Sequence, residues 1–473
     1  MTIRKASRSE PGLGQPEGDA PNVNTSESHL EACDTTGSLG ATSRVAGVMR
    51  PDDALDRTIT RRGLIGAGLG LAAGAMPTAA AYSATESAQN LPPAVPQWQK
   101  QPGAPVMTPP YGLPSPQEAN VVRRPRPGAP SPTNLASLSN SPLQDLSGIV
   151  TPNGLHYERH HAGVPDIDPE QHRLMIHGLV DRPMIFTMED LARFPSISRF
   201  HFLECSGNSS PTWTTPKPEL TVQDTHGLLS CAEWTGVPLA TVLAEAGVRP
   251  EAKWLLAEGA DAAAMTRSIP IEKALDDAIL AYRQNGERLR PEQGYPLRLL
   301  LPGWEGNASI KWLRRIKLGT APFETREETS KYTMVMPDHT IRQFNFVMEA
   351  KSVITFPSSG HKLQKPGFYE ISGLAWSGAG KVSRVEVSTD DGSSWREAAL
   401  QEPVLTKCLT RFRLPWRWDG GDAVLASRVT DSTGYTQPSR EALLKVRDVR
   451  SYYHNNAIQS WRVASSGAVT NAG

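Results

Sequence analysis

Glu204-Cys205-Ser206-Gly207-Asn208 is the stretch of this chain best suited to a reactive centre, because a thiol leaves the apolar run Phe200–Leu203 directly into a turn of small polar residues. A cysteine at such a strand end can point its sulfur into a cavity lined by backbone N–H groups. The competing reading is an inert core thiol, since free cysteines are among the most buried residues. The chain has four cysteines, Cys33, Cys205, Cys231 and Cys408. Once an export leader carrying Cys33 is removed, an odd number remains, which cannot form a complete disulfide framework. No CxxC pair and no CxxCH haem-attachment site occurs. A metal ligand is one reason to keep the unpaired thiol. His156, His160 and His161 raise zinc as another possibility, but no cysteine or carboxylate stands at a convincing spacing from them.

The elements that would position these residues change character along the chain. The 473 residues are enough for two or three domains. Lys plus Arg and Asp plus Glu both number 49, so no net charge points to nucleic acid or an anionic membrane as the main partner. Residues 1–57 are polar and without hydrophobic period, as in a disordered leader. Arg61-Arg62, the apolar run Gly66–Met76 and Ala79-Ala80-Ala81 then form a twin-arginine (Tat) export signal. The run is too short to span a bilayer, which takes about 20 residues. Met49 is a second candidate start, which would leave Arg50–Arg62 as an ordinary basic region ahead of that run. The Tat route carries folded proteins, so the signal favours a cofactor inserted before export.

Residues 82–142 are proline-rich and read as an extended linker or a peripheral wrap. From 143 to 340, short apolar runs such as Arg173–Leu179 and Leu297–Leu301 alternate with helical patches, Thr187–Arg193 and Leu239–Ala246, the second stopping at Gly247. From 341 to 463 the texture becomes all-β. Gly367–Ser377, Val382–Ser388, Trp395–Leu400 and Cys408–Leu414 read as strands, and Asp390-Asp391-Gly392 as a hairpin turn. Residues 464–473 are expected to be a flexible tail. The fold class is therefore α+β, a mixed α/β domain followed by an all-β sandwich of immunoglobulin type.

Several separated motifs between about residues 143 and 463 resemble the sulfite oxidase family of molybdopterin enzymes. They are Thr151-Pro152-Asn153 with Tyr157-Glu158-Arg159-His160-His161, Glu204–Asn208, Ser230–Val237, Ala281-Tyr282-Arg283-Gln284-Asn285-Gly286, Gly294-Tyr295-Pro296-Leu297-Arg298, Lys311-Trp312-Leu313, Trp376-Ser377-Gly378 and Asn456–Trp461. The resemblance implies a molybdopterin-binding catalytic domain and an immunoglobulin-like dimerisation domain. It implies one Mo-molybdopterin per chain, with Cys205 as the protein ligand to molybdenum. Arg159, Tyr282 and Lys381 would face the substrate, although an arginine in a polar loop or a core tyrosine needs no such role. Tyr157, His161, Asp261, Arg298, Ser309, Ile310 and Lys311 would hold the cofactor.

The chain departs from the sulfite-oxidising pattern at three places. Ser210 replaces a pocket arginine, Asp224 beside His226 stands where a tryptophan is expected, and Lys381 stands where the second domain carries an arginine. One positive charge of the pocket is then lost, one is softened and an acid is added, and such a pocket resembles the sulfane dehydrogenase branch, which oxidises sulfane sulfur on a carrier protein in thiosulfate oxidation. The alternative is a periplasmic sulfite dehydrogenase using cytochrome c. A nitrate reductase and a non-enzymatic β-sandwich binding module are weaker readings, the first because of the export signal. With no haem in this chain, electrons would pass to a c-type cytochrome, possibly dihaem. A periplasmic homodimer or heterotetramer follows, with no nucleic acid and no stable membrane insertion.

Overall fold

The computed structural model describes residues 114–126, 136–448 and 450–473. The leader, the twin-arginine segment, Cys33 and the proline-rich residues 82–113 lie outside the described residues. Among those described, no helix is long and apolar enough to cross a membrane.

The first half holds two five-stranded sheets. One runs in the order Glu287–Arg288, Ile279–Gln284, Leu229–Pro238, Ile197–Glu204, with Arg298–Leu300 paired to Ile279–Gln284. The other runs Met184–Phe186, Leu174–Gly178, Leu313–Gly319, Trp254–Gly259, Thr266–Pro270, and its single parallel pair joins Leu174–Gly178 to Leu313–Gly319. The helices are short and closed by local chemistry. Thr187 caps Met188–Ala192 in a reciprocal capping box with Asp190, and Leu239–Ala246 ends at Gly247 with φ of 72°. Both helices coincide with their sequence signals.

The second half is a sandwich. One sheet runs Lys351–Phe356, Gly367–Trp376, Thr410–Trp418, Ala399–Gln401, and the other Arg396–Glu397, Val382–Ser388, Ala423–Asp431, Ser460–Val463, Val469–Asn471. The run expected at Trp395–Leu400 is split between the two sheets. The expected flexible tail is corrected: Val469–Asn471 pairs with Ser460–Val463, and Val469 is buried. Backbone donors there are paired, which removes the freedom a tail needs.

The expected boundary near residue 340 is not a break in packing. Phe202, Val222, Leu229 and Cys231 of the first half share one core with Val353, Trp376 and Phe412 of the second. Gly303 and Gly378 meet backbone to backbone there, where a Cβ on Gly378 would lie 1.9 Å from the Gly303 carbonyl oxygen. Of the two readings of residues 82–142, extended linker or peripheral wrap, the described part packs as a wrap. Ser137–Ser139 pairs with Glu158–His160, Asn140 and Ser141 are fully buried, and Gln223 Nε2 donates to the Val122 and Asn140 carbonyls.

Candidate active site

Cys205 follows the strand Ile197–Glu204, which is paired along its length to Leu229–Pro238. Its loop is held from within. Cys205 N–H donates to the Leu228 carbonyl at 3.0 Å, Asn208 N–H to the Cys205 carbonyl at 2.8 Å, and Leu228 N–H to Asn208 Oδ1 at 3.1 Å. Burial pushes the thiol above its usual range, while the Gly207 N–H, Arg159 and Arg126 favour the thiolate. Binding a metal would deprotonate this sulfur outright.

Two charge networks fasten the loop from distant parts of the chain. The fully buried Glu204 accepts from Lys351 Nζ at 2.7 Å, Trp376 Nε1 at 2.7 Å and Asn208 Nδ2 at 2.9 Å. Both Lys351 and Trp376 belong to the β-sandwich. The second network centres on His454, whose N–H donates to the Ser206 carbonyl at 2.8 Å. Its ring lies between Glu305 (3.4 Å) and Glu349 (3.3 Å), and Glu305 also accepts from Arg267 (2.8 Å) and Asn307 (2.9 Å). Burial opposes a charged imidazole, but hydrogen bonds to the two carboxylates outweigh it and raise His454 to about 9. Burial likewise pushes the Glu305 carboxyl up, and Arg267 with His454 overcomes it, leaving it at about 2.

The sulfur opens onto a cleft of about 650 Å³, counting its mouth. Tyr157, Arg159, His161, Asp261, Arg298, Ser309, Ile310 and Lys311 all line it with Cys205. The strand Glu158–His160 carries one wall, and its approach is set by Asn285, which donates to the Thr151 carbonyl (2.9 Å) and Asn153 Oδ1 (2.8 Å). Thus the Asn285-Gly286 turn positions the segment holding Tyr157 and Arg159. Burial lowers His161 to about 3, Arg159 adding to the effect, so the ring is neutral; its Nε2 bonds the Tyr332 hydroxyl at 2.8 Å.

Arg298 and Lys311 are the deep cations. Arg298 donates to the Gln293 carbonyl (3.0 Å) and the Ser309 carbonyl (3.1 Å), leaving Nε buried without a partner. Lys311 Nζ reaches the Arg159 carbonyl (3.0 Å), the Glu292 carbonyl (3.1 Å) and His160 Nδ1 (2.8 Å). Burial and then Arg298 lower Lys311 to about 7. Neither cation has a carboxylate within ion-pair distance among the described residues. Two buried cations held only by neutral acceptors make a receptor for an anion such as a phosphate. Gly306 adds a close approach, since a Cβ there would lie 2.7 Å from the Tyr157 hydroxyl. These residues fit a phosphate-bearing molybdopterin whose metal takes one protein thiolate.

The remaining expected residues are placed elsewhere. Tyr282 does not line the cleft; it packs half-buried against the core of the first half. Lys381 is exposed at the start of the strand Val382–Ser388 and does not line it either. Asp224 adds no acid to the pocket, because its carboxylate is used in a capping box with Thr221 at the start of Val222–His226. The three histidines do not converge on one point. His156 faces the Tyr157 carbonyl, His160 faces Glu158 and Lys311, and His161 faces Tyr332. Sequence reasoning missed Tyr332, buried at the cleft, and Arg126, whose Nη1 donates to Ser210 Oγ at 2.7 Å. The only signal for Arg126 was the cluster Arg123, Arg124, Arg126 in an otherwise weakly charged proline-rich stretch.

Residues 161–327 match the oxidoreductase molybdopterin binding domain, and residues 342–461 the Mo-co oxidoreductase dimerisation domain. Among curated relatives, NADH nitrate reductase of Ulva prolifera is 31% identical over 59% of this chain and 36% of its own length. Mitochondrial sulfite oxidase of Drosophila melanogaster is 31% identical over 65% of this chain and 58% of its own. The chain thus spans less than two thirds of either relative. Among solved structures, the sulfane dehydrogenase SoxCD from Paracoccus pantotrophus is 46% identical, with a TM-score of 0.78, covering 80% of this chain and 97% of that one.

Proposed function

The chain belongs to the sulfite oxidase family of molybdopterin oxidoreductases, and we propose that within it the chain is the molybdenum-bearing subunit of a sulfane dehydrogenase. It would oxidise sulfane sulfur on a carrier protein and pass the electrons to a c-type cytochrome subunit. The observation that carries this reading is the Cys205 thiol opening onto a cleft with two buried cations, neither of which is ion-paired to a carboxylate among the described residues. The 46% identity to a sulfane dehydrogenase, against 31% to a sulfite oxidase and a nitrate reductase, supports the choice of substrate. The twin-arginine segment supports export to the periplasm, and the match to a dimerisation domain supports an oligomer with the cytochrome.

When bound, the molybdenum cofactor supplies two-electron oxygen-atom transfer to sulfur. This chain's part is to bind and orient. Cys205 provides one thiolate, fixed in direction by the Glu204 and His454 networks. Arg298 and Lys311 hold the cofactor's anionic end, and a bound phosphate would keep Lys311 protonated. Arg159, at the cleft wall, attracts an anionic substrate with a rigid planar donor.

Replacing Cys205 with serine tests the ligand. Hydrogen-bonded residues around a metal ligand already cost 10–100-fold, so loss of the ligand itself should cost on the order of 10²-fold or more in sulfur oxidation. Steady-state assays with a persulfidated carrier and with free sulfite, cytochrome c accepting, decide the substrate. Efficient turnover of free sulfite with no response to the carrier would favour a sulfite dehydrogenase instead.

A further inference from the structure

The proline-rich stretch carries no expected chemistry, yet one of its side chains reaches the Cys205 loop. Arg126 is only 8% exposed. Its Nη1 donates to Ser210 Oγ at 2.7 Å and approaches the Tyr452 hydroxyl at 3.5 Å. Its Nε and Nη2 are buried and have no partner, and no carboxylate pairs with it among the described residues. Tyr452 in turn covers Gly207. A Cβ built on Gly207 would lie 2.9 Å from the Tyr452 ring and 3.9 Å from Cys205 Sγ. Arg126, Ser210 and Tyr452 therefore border the sulfur outside the lining of the cofactor cleft. Tyr452, which approaches Arg126, is itself 53% exposed.

A guanidinium with two nitrogens buried and unused is costly, because their lost hydration is not replaced. An anion arriving at that place would receive planar, charge-assisted donors.

We propose that Arg126 is a substrate-binding residue, which together with Arg159 holds the anionic sulfur group presented at the Cys205 metal site. This rests on the reading of Cys205 as the metal ligand. Arg126, from the described residues 114–126, then contributes charge to the substrate side of the loop, from a position 84 residues away from Ser210 in sequence. The group recognised is an anionic sulfur terminus, whether free sulfite or a sulfur carried on a protein cysteine.

The test uses the cofactor-loaded enzyme with Arg126→Ala, Arg126→Lys and the double change Arg126→Ala with Ser210→Arg. Sulfate, an unreactive anion of the same class, is titrated by calorimetry, and molybdenum is counted per chain by elemental analysis. Arg126→Ala should weaken sulfate roughly tenfold, the loss of one charge-assisted contact, with molybdenum near one per chain. Arg126→Lys should recover part of the affinity, and the double change most of it. KM measured with free sulfite and with a persulfidated carrier shows which source depends on Arg126. Sulfate affinity and both KM values within twofold of wild type would overturn the proposal, as would loss of molybdenum from Arg126→Ala. If the unaltered enzyme oxidised neither sulfur compound, the functional reading would fall, and sulfate binding would still decide the role of Arg126.

Discussion

Behind the Cys205 loop the buried charges that fasten it meet opposite ones; in front of it they do not. Glu204 faces Lys351 at 2.7 Å, and His454 stands between Glu305 and Glu349. In the cleft, Arg298 and Lys311 rest on carbonyls and a histidine, and against Ser210 of the Cys205 loop Arg126 leaves two nitrogens unused. Matched buried ions contribute little net stability but a great deal of positional definition. Unmatched ones cost stability, and their positive charge becomes available to a ligand. The difference separates scaffold from receptor within one site.

The largest effect should come from the matched side. Lys351→Met strands Glu204 in the core and should destabilise the protein by about 3–5 kcal/mol, measured by chemical denaturation. If the loss were under about 1 kcal/mol, the clamp on the metal loop would not be structural. The cleft should respond in the opposite direction. Arg298→Leu removes a buried cation without a carboxylate, so the cofactor-free protein should hold its stability or gain about 1 kcal/mol. Cofactor retention, read as molybdenum per chain after dialysis, should drop. A cofactor-free protein strongly destabilised by Arg298→Leu would erase the contrast.

The smallest effect is a pH dependence. His454 is raised in the folded state to about 9 from 6.5. Its contribution is therefore complete below pH 6.5 and lost as pH rises through about 9. Lys311 behaves oppositely: lowered from 10.5 to about 7, it penalises folding below pH 7, and the penalty lifts as pH rises toward 10.5. Melting curves of the cofactor-free protein with His454→Gln should show a flatter alkaline arm than wild type. With Lys311→Gln the arm should fall more steeply.

The motif at Glu204–Asn208 was legible because the strand end, the turn and the thiol are consecutive. The helices at Thr187 and Leu239 were legible for the same reason, since their caps lie within a turn. Most of the sandwich strands could be read from β-forming runs and the Asp391-Gly392 turn, where φ is 59° and 80°. Asp224 was misread as a pocket acid although its capping partner lies three residues away, because one acid in sequence serves either role. Tyr282 and Lys381 were assigned by position in motifs, and the packing of their segments left them outside the cleft lining. Tyr332 and Lys351 carry no local signature and Arg126 only a small cluster of arginines, and each is bonded to a residue 80 or more positions away.

Sequence alone determined the cofactor class and the order of the two halves, and singled out Cys205 as the candidate reactive atom, since these rest on residue types at short spacing. Tertiary structure alone decided which charges are neutralised. That outcome depends on whether two distant side chains reach within about 3 Å of each other, and the chain's folding, not its order, sets that distance.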